Sequence, residues 1–336
     1  CVHLVSRRLS SSIKIDGANI NKEHITLTET SCVDALSAKR SEDKDDIPRS
    51  NADNTNFMYK GQWKKRKMHG KGTLTLPNDN VCTGDFIKGK MHGVGETRWP
   101  NGSVYEGEYQ QNKQHGFGVM SWANGDVYVG QFENDKYHGQ GSLTTHKGNV
   151  FTGSFMGGAL HGPGKRASPD GSVYEGMYDH GKQHGPGKLT FSNGNVYTGA
   201  FVNDQMHGRG MFRAKNGSVY EGEYEHGKQQ GQGKLTYTSG AVYQGKFVNN
   251  QPHGKGVFRS PDGSVYEGEY RHGKQHGHGK LTYKNGSVYK GCFANGRRDG
   301  RGAHVSPSGV IRRGEYVLGR WNDDKPQPST QSSLLK

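Results

Sequence analysis

Two residue types recur in this chain at spacings that could do chemistry. Nine of its seventeen histidines, from His69 and His92 to His253 and His276, stand immediately before a glycine and return at a common interval. Imidazoles gathered at one point bind zinc or nickel, and an imidazole or carboxylate within reach of a substrate proton acts as a general base. Glutamates also recur in pairs, at Glu106 and Glu108, Glu221 and Glu223, and Glu267 and Glu269.

The interval itself supplies a plainer reason for both patterns. An aromatic residue, or a substitute, opens a 23-residue unit at Tyr59, Cys82, Tyr105, Tyr128, Phe151, Tyr174, Tyr197, Tyr220, Tyr243, Tyr266 and Tyr289, and a shortened copy opens at Arg312. No insertion or deletion interrupts the count, so each unit is one repeat of a stacked array. If units stack about 10 Å apart, histidines at the eleventh position lie too far apart to share a metal. No cysteine or carboxylate regularly accompanies them, so they are expected to stabilise a turn. The trio His272, His276 and His278 offers nickel or zinc an opportunistic foothold only. Glu175, Glu221 and Glu267, at position 2, are expected to pair across a hairpin with Lys188, Lys234 and Lys280, at position 15. The glycines precede no helix N-terminus, so no phosphate-binding loop is present. The expectation is a non-enzymatic chain with no cofactor, no metal and no small-molecule substrate.

The elements behind the repeat follow from its alternation. Position 3 is glycine in all twelve copies and position 5 is Trp, Phe or Tyr, so positions 1, 3 and 5 share one face of a strand. Glycines at 12 and 14 and apolar residues at 16 and 18 mark a second strand. Asn-Gly or Asp-Gly at 20 and 21 marks the reversal. The fold expected is all-β: an elongated array of about twelve 23-residue β-hairpin repeats forming a twisted antiparallel meander, on the order of 105 Å long. Glycines at 3, 12 and 14 are expected to receive rings from positions 1 and 5, among them Tyr105 and Tyr109, Tyr174 and Tyr178, Tyr220 and Tyr224, and Tyr266 and Tyr270. No second layer in the sequence covers that ring face, which points to docked proteins or a second copy of the chain. Units opening at 174, 220 and 266 resemble one another and those at 197 and 243 form a second type, a 46-residue period that suits a self-complementary partner or a filament.

Composition agrees. Only 30% of the residues are apolar and 53 are glycine, too little aliphatic bulk for a thick core. No run of 18 apolar residues offers a membrane span. Cys1, Cys32, Cys82 and Cys292 lie far apart, giving neither a disulfide framework nor a zinc motif and fitting a reducing, cytoplasmic setting. The opening at Cys1, without methionine, suggests a fragment. Residues 1–56 and 325–336 lack sustained periodicity and are expected to be a disordered arm and tail flanking an array over 59–321.

The net charge of +14 is concentrated at the two ends of the array. Lys60, Lys64, Lys65, Arg66, Lys67 and Lys71 stand together without an acid. Near the other end come Arg297, Arg298, Arg301, Arg312 and Arg313. These residues are candidates for contact with an anionic phospholipid surface, and they also blunt exposed strand edges. The rings are committed to the glycines and no stacking signature is visible, so nucleic acid is not expected.

The pattern Y-x-G-x-(Y/F/W)-x3-(K/Q/R)-x-H-G-x-G, closed by D/N-G, resembles the membrane occupation and recognition nexus (MORN) repeat and covers residues 59 to about 321. The resemblance implies a rod of stacked hairpins with an aromatic groove, acting in scaffolding, dimerisation or phosphoinositide contact. Similar arrays accompany certain phosphatidylinositol phosphate kinases as regulatory regions, and others occur in ciliary radial-spoke heads. Departures are Cys82 and Arg312 at position 1, Gln230 and Asp299 at the histidine position, and Asp79 at a turn glycine.

Overall fold

The computed structural model describes residues 57–322, so the expected arm and tail lie outside the described residues. Each unit contributes a seven-residue strand and a nine-residue strand, starting with β1 (Met58–Lys64) and β2 (Lys67–Thr75) and ending with β23 (Ile311–Val317) and the short β24 (Arg320–Trp321). Every strand pairs antiparallel with its neighbour in the chain, giving one meandering 24-stranded sheet. The expected all-β meander of hairpins is what the chain forms.

Two turns alternate along it. Within a unit the reversal falls on positions 7 and 8, both at positive φ, as in Asn134 and Asp135 (51° and 66°) or His226 and Gly227 (49° and 77°). Two successive left-handed residues are the signature of the tight hairpin turn whose twist matches that of its strands. Between units the Asn-Gly turn is wider. The Gly102 N–H donates to the Trp99 carbonyl at 2.9 Å, and the Ser103 N–H donates to Asn101 Oδ1 at 2.9 Å.

A row of glycines crosses the sheet, one per strand, from Gly61 on β1 through pairs such as Gly107↔Gly118 and Gly118↔Gly130 to Gly314 on β23. The position-1 ring lies flat on this row. A Cβ at Gly118 would stand 2.5 to 2.7 Å from Tyr105 ring and hydroxyl atoms, so only glycine accommodates the ring. Tyr105 is 0% exposed, and its hydroxyl donates to the Glu108 carbonyl at 2.9 Å. The same bond recurs from Tyr128, Tyr174, Tyr197, Tyr220, Tyr243, Tyr266 and Tyr289 to the carbonyl three residues on.

That carbonyl is available because the register shifts inside each complete unit, just after the glycine at position 3, as between Gly107 and Tyr109. The bulge sits around the glycine at position 12. Here the sequence-based expectation needs correction: position-12 glycines do not receive rings. Gly116 takes a φ of 58°, and a Cβ there would meet the Glu108 carboxylate on the opposite face, not a ring. These glycines serve left-handed backbone, and those at 3 and 14 serve space.

Each position-1 tyrosine meets two position-5 rings edge-on. Tyr220 stands 5.3 Å from Tyr224 and 4.9 Å from Phe247. Such contacts run unbroken from Tyr178 to Trp321. Burial pushes the phenols of Tyr174, Tyr197, Tyr243 and Tyr289 up to about 12. An unfolded tyrosine ionises near pH 10, so the folded chain holds protons that the unfolded chain has lost between those values. The stabilisation from these phenols is full below about pH 10 and falls as pH rises through 12. Tyrosinate absorbance is therefore expected to rise together with loss of β-sheet circular dichroism. Ionisation near pH 10 with the sheet intact would show the phenols to be solvated.

Candidate functional site

The chain presents a ring face, a carboxylate-bearing face and two basic ends. On the ring face, Tyr105, Tyr109, Tyr174, Tyr178, Tyr220, Tyr224, Tyr266 and Tyr270 are all buried. The array covers its own rings, which corrects the expectation that these tyrosines form an open adhesive surface. Side chains from the second strand and the inter-unit turn pack over them, including Trp99, Trp122, Tyr137, Phe191, Phe212 and Phe258, and these remain half-buried. This second tier is what the face leaves partly exposed. It is made of ring pairs: Trp122 and Tyr137 at 5.8 Å, Phe191 and Phe212 at 6.0 Å, Tyr237 and Phe258 at 6.1 Å, and Tyr283 and His304 at 6.1 Å. In the C-terminal half the pairs return every 46 residues, with Ala214 and Ser260 at the intervening positions. This half of the face therefore carries a ring pair at every second unit. Among the described residues no helix or second sheet lies over it.

On the carboxylate face the expected register holds, with Glu175↔Lys188, Glu221↔Lys234 and Glu267↔Lys280 directly opposed. Lys280 approaches Glu267 at 3.7 Å, whereas Glu175 turns to Lys165 of the preceding unit at 2.9 Å, which holds its carboxyl below the usual range. Position 4 has a backbone duty. Glu108 Oε1 accepts the Phe117 N–H at 2.9 Å, and Gln131 Oε1 accepts the Gln140 N–H at 2.8 Å, satisfying amides that the bulge removes from the ladder.

The N-terminal basic group is concentrated at one hairpin tip. Lys64 and Lys67 are direct register partners, and Lys65 and Arg66 form the turn between them at φ of 51° and 58°. All four are exposed, as are Lys60 and Lys71, although Lys71 faces Asp85 in the register. The C-terminal group divides. Arg297, Arg301, Arg312 and Arg313 are exposed, and Arg301 stands opposite Glu315. Arg298 is not a surface anion contact. Its guanidinium lies 4.5 Å from the Tyr316 ring centre and donates from Nη2 to the Gly319 carbonyl at 3.2 Å, closing the ring stack.

Position-11 histidines lie at the bulge, beyond the tight turn in which the sequence pattern put their role. Three of them meet the turn of the following unit: His161 faces His180 at 5.2 Å, His207 faces His226 at 6.1 Å and His253 faces His272 at 6.1 Å between ring centres. The missed signal was a second histidine 19 residues on, at position 7 of the next unit.

Comparison with known proteins places this geometry. The MORN-repeat family model matches eleven consecutive stretches, from residues 59–81 to 289–311. A search of curated proteins finds no match. Among solved structures the chain is similar to the TCP10 domain of Danio rerio CPAP in complex with a peptide of STIL, at 13% identity over 73% of this chain and 99% of that one, with a TM-score of 0.33. It is also similar to the Drosophila melanogaster SAS-4 TCP domain in complex with a proline-rich motif of Ana2, at 12% identity over 52% and 83% of the two chains, with a TM-score of 0.27. Likenesses this loose carry no argument about what the chain binds.

Proposed function

This chain belongs to the MORN-repeat family, and on that premise we propose that it is a non-enzymatic cytoplasmic scaffold that docks proteins, including a second copy of itself, along its aromatic face and rests by its basic N-terminal hairpin on an anionic phospholipid surface. The carrying observation is the half-buried ring tier that no other element among the described residues covers. Partly exposed ring pairs at a fixed repeat favour an extended or repeating partner over a compact ligand. The arrangement suits holding over catalysis, since Glu175 and Glu267 are engaged with lysines and Glu108 with a backbone amide.

Sedimentation equilibrium over a wide concentration range tests the protein-docking half. Self-association is expected, and it should weaken at least tenfold when Tyr237 and Phe258 are both replaced by serine, because these half-exposed rings leave the buried ladder intact. A strict monomer that also ignores anionic vesicles would end this reading.

A further inference from the structure

We propose that His161, Asp179 and His180 form a binding site for one divalent ion of the zinc type. Among the described residues this trio brings three possible ligand atoms within 4.8 Å of one another. His161 lies at the bulge of the strand Ala159–Ala167, and Asp179 and His180 lie at the end of the strand Val173–Asp179 and the tight turn that follows it. The repeat therefore presents all three on one edge, and none is needed by the ring core.

Asp179 Oδ1 stands 3.3 Å from His161 Nδ1 and 2.6 Å from His180 Nδ1. Zinc bonds of about 2.0–2.1 Å in a tetrahedron set neighbouring ligand atoms roughly 3.3 Å apart. The first separation already has that value. The second is a hydrogen bond that must lengthen as the ion replaces its proton, and the His180 side chain, 76% exposed, is free to swing. A further sign is that His161 Nδ1 is buried yet has no hydrogen-bond partner, the Asp179 contact being out of hydrogen-bond geometry. An imidazole nitrogen left without a hydrogen-bond partner, when neutral and unprotonated, has a lone pair free to bind a metal ion. Two histidines and a carboxylate suit zinc better than calcium or magnesium, and they leave a fourth position for water or for a donor from a docked partner.

The array supplies its own comparison. The His207 and His226 pair has Glu225 in place of Asp179, and the His253 and His272 pair has Arg271. Both pairs are wider, at 6.1 Å, and neither forms a ligand trio among the described residues. One site per chain is expected.

Isothermal titration of the tag-free, chelator-treated chain with zinc chloride tests this. One equivalent is expected to bind at micromolar or lower free zinc. D179R, which places there the residue type of Arg271, and H180G, which places there the residue type of Gly157, should each weaken binding at least tenfold with circular dichroism unchanged. H226G and H272G should leave binding as it was. The assignment is overturned if zinc binds only at millimolar concentration, if D179R and H180G bind as the parent does, or if H226G and H272G weaken binding as much as they do.

Discussion

Tyr220→Ala is expected to destabilise its unit by roughly 3–5 kcal/mol, Gly233→Ala by about 1–3 kcal/mol, and the double variant by no more than Tyr220→Ala alone. Tyr220 is 1% exposed, meets Tyr224 and Phe247 edge-on and bonds to the Glu223 carbonyl at 3.1 Å, so alanine opens a cavity and orphans a bulge carbonyl. A Cβ at Gly233 would lie 2.5 Å from the Tyr220 hydroxyl oxygen and 2.6 Å from Cε2. The ring must then leave its seat. Backbone strain plays no part, because Gly233, unlike Gly231 at a φ of 63°, does not adopt positive φ. With the ring gone, the added methyl enters vacated space and removes the glycine's entropic disadvantage, worth about 0.5–1 kcal/mol in a strand. The two costs should therefore fail to add by roughly 1–3 kcal/mol. Hydrogen exchange resolved by unit is the suitable measurement, since a repeat array opens locally and one global transition would average the effect. Additive costs would mean that glycine and ring are independent.

Much of this was legible in the residues. The invariant 23-residue interval, aromatic positions 1 and 5 and the glycines at 3 and 14 dictate strand, face and repeat, and the Glu175↔Lys188 register follows from the alternation. The role of the third glycine was not legible. Gly116 and Gly118 carry the same letter two residues apart and read as one face, yet the bulge turns Gly116 toward Glu108 on the other side. Strict alternation fails wherever one strand carries extra residues, and only the register reveals where. Burial of the rings was hidden for a related reason: the residues that cover Tyr220 belong to neighbouring turns and strands, so no single unit shows the lid. Arg298 reads as surface charge because it stands among other basic residues near the C-terminal end of the array. It occupies position 10, where Met91 and Leu160 are buried in earlier units, and that correspondence was the available clue.

The basic hairpin tip gives the other large expected effect. Replacing Lys64 with Gln, Lys65 with Asn, Arg66 with Gly and Lys67 with Gln should weaken binding to phosphatidylserine-containing vesicles roughly a hundred- to a thousandfold, each basic residue near such a surface being worth about 1 kcal/mol. The replacements keep the turn, because other units carry the same types at these positions, as in Gln110, Asn295, Gly296 and Gln205, and the Asn295 and Gly296 backbones stand at φ of 51° and 84°. Folding should survive or improve, since the parent opposes Lys64 directly to Lys67 and like charges facing across a hairpin destabilise it. A loss of binding would therefore reflect lost attraction and not lost structure. Exposed charges are screened over about 8 Å at physiological ionic strength, so parent binding must fall steeply with added salt. Removing the exposed Arg312 and Arg313 tests whether the far end also holds the membrane. A comparable loss would have the array lying along the bilayer, and no loss would have it standing on its first hairpin. Vesicle pelleting that ignores both salt and the four replacements would remove the membrane from the function of this chain and leave the aromatic face as its whole binding surface.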